Sequence, residues 1–247
     1  MEAFLDVTIL PQPDDTTCGP TCLHAVYQYY GDDIPLARVI DEVKSLETGG
    51  TLDVFLACHA LRRGYKARIY TYNLQVFDPS WFLHDPEYIE ERLLAQMEAK
   101  DDLKLHLATR GYLNFLNLGG ELRFADLTPS LLRKYLKRSI PVLTGLSSTY
   151  LYRSMREYGD LCEDDDVRGH PSGHFVLLCG YNRPDRLVAI ADPHMGNPLA
   201  VGQQYEVSID RVICSILLGI VTYDANLLII EPPGKKGNGR ANHTVQA

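Results

Sequence analysis

The sequence predicts an α+β fold, with helical patterns dominant before residue 140 and strand patterns after it. Two observations carry this. Apolar residues recur at helical spacing after Cys18, Pro35 and Thr51 and again over 88–118. Beyond 140, short apolar runs bounded by turn residues follow one another, as at 141–146, 173–181 and 187–191. At 247 residues the chain is long enough for a sizeable core. We expect a single domain over 1–231.

The elements follow in order. Residues 5–10 alternate at Leu5, Val7 and Ile9 and predict a short strand. A polar turn, Gln12-Pro13-Asp14-Asp15-Thr16-Thr17, leads into Cys18. Thr16 or Thr17 is expected to cap a helix starting near Cys18, with Pro20 tolerated in its first turn and Leu23, Val26, Tyr27 and Tyr30 on its buried face. Pro35 opens a second helix, expected to run to about Leu46 on Leu36, Val39, Ile40 and Val43. Thr51 is expected to cap a third, ended by Gly64, with a strand over 65–72. Glu42 and Asp53 read as solvated charges on these helices, and His59 as a core or surface histidine.

Residues 77–120 change character. Asp78-Pro79 and Asp85-Pro86 mark turns, 88–100 and 103–118 read as helices with a break expected at Gly111, and the block resembles an insertion. It could wall a cleft or simply pack. A short strand at 122–124, a helix capped by Thr128-Pro129 and a buried strand at 141–146 come next. The acidic run 163–166 lacks the spacing and glycine of a calcium loop and reads as a solvated loop, conceivably a lid. Residues 173–181 and 187–191 form a hairpin about a turn at 182–185. Residues 205–209, 213–222 and 227–230 are expected to complete a β-rich half, and 232–247 to be a disordered tail.

Composition excludes several functions. A net charge of −8 argues against nucleic-acid binding through a global basic field. No apolar run approaches 18 residues, so no membrane span is expected. The six cysteines contain no CxxC pair, which disfavours a zinc site, and without a signal pattern they are expected to be reduced in the cytoplasm.

One constellation carries chemistry. Cys18 would sit at a helix N-terminus, where the partial positive charge favours a thiolate. Gly19 leaves room beside the sulfur, and Gln12, six positions earlier, could aim its amide at an oxyanion there. His174 opens one hairpin strand and Asp192 closes its partner, which puts carboxylate and imidazole at the same end. A histidine ordered by a carboxylate is what a cysteine nucleophile needs. His194 and His170 are rivals, but neither begins the apolar strand.

The patterns Gln12-x5-Cys18-Gly19-Pro20, 173–178 (Gly-His-Phe-Val-Leu-Leu) and Asp192-Pro193 resemble the C39 peptidases, which process bacteriocin leaders, and their stand-alone C39-like relatives. The resemblance implies a papain-like fold, with a helical half carrying the cysteine and an antiparallel β half carrying histidine and aspartate. It implies that Cys18 attacks, His174 and Asp192 complete a triad, and Gln12 serves the oxyanion hole. The implied substrate is a peptide or protein, with no metal or organic cofactor. Acyl transfer to an amine, or peptide binding without chemistry, are the alternative functions.

Overall fold

The computed structural model describes residues 2–47, 49–159 and 161–233. The segment read as a disordered tail lies, from residue 234 on, outside these. The architecture is α+β, and one mixed sheet organises it. Its strands are β1 (Glu2–Phe4), β2 (Lys66–Thr71), β3 (Glu121–Arg123), β4 (Val142–Ser147), β7 (Gly173–Asn182), β8 (Leu187–Ala191), β9 (Gln204–Ser208) and β10 (Asn226–Glu231). Residues β5 (Glu157–Tyr158) and β6 (Glu163–Asp164) form a separate two-stranded ribbon. The sheet runs β3-β2-β10-β4-β7-β8-β9, antiparallel except between β2 and β3, with β1 added to the far end of β7.

Helices cover both faces. Alternation along the strands explains why. Phe175, Leu177, Leu228 and Ile230 belong to a core shared with α1 (Cys18–Tyr29) and α3 (Asp53–Arg62). Val176, Leu178, Leu227 and Ile229 belong to a second core shared with α6 (Pro129–Leu136) and α8 (Ile209–Leu218). Strands buried on both faces read as unbroken apolar runs, which made β4, β7 and β10 recognisable. The remaining helices are α2 (Leu36–Glu42), α4 (Pro86–Ala99), α5 (Leu103–Asn117) and α7 (Ser148–Tyr152).

Several sequence expectations need correction. Residues 5–10 keep the alternating burial, with Val7 and Ile9 inside, but form no ladder; the strand is β1, just before them. Helix α2 stops at Glu42, because Val43 is already extended. Thr17 precedes α1 but does not cap it; its hydroxyl donates to the Asp14 carbonyl at 3.1 Å. Nor does Thr51 cap α3, since its hydroxyl donates to the Lys44 carbonyl at 2.7 Å. Residues 213–222 are not a strand. Ser208 caps α8 by accepting from the Arg211 N–H, and Ile209, Val212 and Ile216 are buried at helical spacing. The run 163–166 is not a loose loop: it enters the ribbon, and Asp165 accepts from the backbone of Val167 and Arg168.

Helix α5 continues through Gly111 unbroken. This glycine permits contact with α3: an added Cβ would lie 2.7 Å from Val54 Cγ1 and 2.8 Å from Phe55 Cε1. On an isolated helix, Gly→Ala would stabilise by up to about 1 kcal/mol. Here overpacking dominates, typically by roughly 1–3 kcal/mol. Gly111→Ala should therefore lower the midpoint of urea unfolding, and a raised midpoint would refute this packing account.

Candidate active site

The sequence brings Cys18 to the first residue of α1, at the margin of the core with 9% of its surface exposed. Contrary to the expectation from sequence, Gly19 does not open room for a substrate beside the sulfur; that space holds Thr51, Phe175 and Leu56 at 2.7–3.3 Å from a virtual Cβ. The glycine instead lets the first turn of α1 press onto the start of β7. Because Thr17 turns its hydroxyl away, the first-turn amides of α1 have no side-chain cap. A helix mouth in that condition attracts negative charge.

His174 lies one residue into β7 and Asp192 just past the end of β8. They are not directly opposed in the ladder, where Leu177 faces Ala191. Asp192 leaves the ladder, donates its N–H to the Gln203 carbonyl at 2.8 Å and reaches back. Its Oδ1 meets His174 Nε2 at 2.8 Å. That leaves Nδ1 for a second partner, and the Cys18 sulfur is near enough to favour the charged imidazole. Burial alone would push His174 down, yet the Asp192 bond and the neighbouring thiol outweigh it and raise the imidazole to about 10.

Asp192 is fully buried and fully engaged. Besides His174, its Oδ1 accepts from the His194 N–H at 2.9 Å. Its Oδ2 accepts from the hydroxyls of Tyr152 and Tyr205, each at 2.6 Å. Burial opposes its charge, but these bonds, led by His174, keep it below its ordinary value. Burial and the adjacent Asp192 charge in turn hold both phenols neutral. The sequence reading missed the two tyrosines. Tyr205 had a signal, since it sits at an inward position of β9 opposite Ile190. Tyr152 had none, being at the end of a five-residue helix.

Gln12 lines a cleft of about 310 Å³ together with His174, His194 and Tyr152. Its backbone N–H donates to the Pro193 carbonyl at 3.0 Å, which ties the cysteine loop to the aspartate loop. Its Nε2 donates to the Asp14 carbonyl at 2.9 Å, and its buried Oε1 has no partner among the described residues. One amide hydrogen stays uncommitted. The flap after β4 supplies the other wall through Ser148, Glu157 and Leu161; no residue of 77–120 lines this cleft among the described residues. His170 instead bridges Glu157 through the backbone. Among the described residues no three His, Cys, Asp or Glu side chains assemble as metal ligands.

Asp53 departs from the expectation of a solvated charge, whereas Glu42 keeps it, exposed at the end of α2. Glu42 bonds Arg38 at 2.6 Å and His59 at 3.1 Å, and His59 is a core residue, as one of the two readings had it. Asp53 is 1% exposed, and neither carboxyl oxygen has a partner among the described residues. Burial, then the nearby Asp224, pushes it well above its ordinary value. Asp224 itself is raised by burial to about 7 and packs against Gly173, next to His174.

No protein-family model matches the sequence, and no curated protein matches it. Solved structures do. One is described as a C39-like peptidase from Bacillus anthracis; the match covers 93% of this chain and 97% of that one, with a TM-score of 0.52 and 14% identity. Another is a double glycine motif protease from an AMS/PCAT transporter in complex with the leader peptide (93% and 94% covered, TM-score 0.44, 13% identity). A third is xylellain, a cysteine protease from Xylella fastidiosa (94% and 85% covered, TM-score 0.44, 13% identity). The first likeness establishes the fold: the chain is built as a papain-like, C39-like peptidase is built.

Two outcomes follow from this geometry. A carboxyl held protonated in the native state destabilises as pH rises above its unfolded value, because the unfolded chain ionises first. Asp53→Asn removes that penalty. Each unit by which a native carboxyl titrates above its unfolded value costs about 1.4 kcal/mol at high pH, and 1 kcal/mol shifts Tm by roughly 2–4 °C at this size. The variant should melt at least about 2 °C higher at pH 8, with the gain shrinking towards pH 4. An unchanged difference across pH would refute a protonated Asp53. Tyr205→Phe should raise the titration of His174, read by NMR of the ring protons, since Asp192 then shares its charge with one donor fewer and holds the imidazolium more strongly; a lowered titration would refute this coupling.

Proposed function

We propose that the protein is a cysteine hydrolase that cleaves a peptide or amide bond. Cys18 attacks the carbonyl carbon as a thiolate, its proton passing to His174 Nδ1. The same nitrogen then gives that proton to the departing amine, leaving a thioester on Cys18. Water, deprotonated by His174, hydrolyses the thioester and restores the thiol. Asp192 orients His174 and stabilises its positive form. The Cys18 N–H at the uncapped helix mouth and Gln12 Nε2 hold the oxyanion. The observation that carries this reading is the 2.8 Å bond between His174 and Asp192, with the Cys18 thiol acting on the same imidazole. The chemistry requires a reduced Cys18, which suits the cytoplasm, and a chain segment able to enter the cleft, hence a peptide or protein substrate.

The test is turnover of internally quenched peptides, with product masses recorded in water and with an added amine. Cys18→Ala should abolish cleavage. Gln12→Ala should slow it by about a hundred- to a thousand-fold, the usual effect of losing one oxyanion donor. Cleavage by Cys18→Ala at the wild-type rate would overturn the proposal, and predominant amine adducts would convert it to acyl transfer. The imidazolium form of His174 persists below about 10, so the rate should fall as pH rises through that value.

A further inference from the structure

The cleft beside His174 has a charge pattern that its proposed chemistry does not use. Its two carboxylates come from opposite walls, Asp15 from the cysteine loop and Glu157 from β5 of the flap. No lysine or arginine lines it among the described residues. Neither Asp15 nor Glu157 has an ion pair among the described residues.

The flap does contain arginines, but its own turn holds two of them. Arg168 Nε binds Asp165 and its guanidinium lies over the Tyr158 ring, 4.2 Å from the centroid. Arg156 is bound to the carbonyls of Asp166 and Val167. These contacts leave the flap's acidic residues Glu163 and Asp164 exposed on the ribbon strand that pairs with Glu157. At the centre, the positive His174 is balanced by Asp192, so it does not offset the acidic walls. His194 is the remaining titratable side chain on the lining besides Tyr152, Cys162 and those already named.

We infer that the cleft selects peptide segments carrying lysine or arginine beside the bond to be cleaved, held between Asp15 and Glu157. This rests on the hydrolase reading and specifies its substrate class. Both walls are solvent-accessible, so each pairing is of the modest surface kind, and the two together discriminate by about tenfold between a basic and an acidic residue. Selection is electrostatic and fades as the screening length falls from about 10 Å at 0.1 M salt to 3 Å at 1 M.

The experiment is digestion of a peptide library in which Lys and Arg, Asn and Gln, and Asp and Glu are equally represented, with cleavage sites identified by mass spectrometry. Basic residues should flank cleaved bonds about tenfold more often than acidic ones at low salt, and the bias should shrink at 1 M. In the double variant Asp15→Asn, Glu157→Gln, the bias should fall towards one. Equal flanking frequencies, or a bias that survives the double substitution, would overturn the inference. Retention of the same library on immobilised Cys18→Ala protein separates this from the hydrolase reading. Enrichment of basic peptides there, without cleavage by the wild type, would sink the hydrolysis but keep the charge selection; equal retention would sink the selection.

Discussion

The structure around the cleft depends on one buried carboxylate. Asp192 has no solvent contact, and an isolated charge in such a place is costly. It is tolerated because four donors converge on it: the His174 ring, the His194 backbone, and the hydroxyls of Tyr152 and Tyr205. Those donors come from β7, the loop after β8, α7 and β9. The carboxylate therefore fixes the mutual placement of four segments as well as the rotation of one imidazole. Its surroundings also explain why His174 stays cationic despite burial: the compensating charge is close, rigid and hydrogen-bonded.

A second tie works on the other side of the cleft. The Gln12 N–H bound to the Pro193 carbonyl holds the loop before Cys18 against the loop after Asp192. The close packing of Gly19 on Phe175 presses the first turn of α1 onto the strand that carries His174. Sulfur and imidazole are thus brought together by backbone contacts, and their own interaction need not hold the two halves in register.

Much of this was legible in the sequence, and the reasons differ by residue. His174 and Asp192 were readable because a hairpin of known strand lengths places its ends together, although the actual register makes their contact diagonal. The helix mouth at Cys18 was readable from periodicity, whereas its missing cap was not: whether Thr17 turns inward or back to Asp14 depends on the loop's conformation. Helix α8 was misread because Ile, Val and Leu dominate it, and their β preference masked the serine cap and the 3.6-residue spacing. Asp53 was misread because a charged residue at a helix start is usually solvated, and only the packing of α5 and the Asp224 region over it makes it buried. Glu157 and the tyrosines on Asp192 required the fold, since nothing local distinguishes a phenol that meets a carboxylate from one that merely packs.

β7 sits in the interior of the sheet, bonded to β4, β8 and β1 and packed beneath α1, where Cys22 donates to Phe175 across 153 positions of sequence. During synthesis the sulfur therefore leaves the ribosome long before its imidazole and carboxylate exist. The pairing of His174 with Asp192 beside Cys18 is thus assembled only once β7 and β8 have both been laid down.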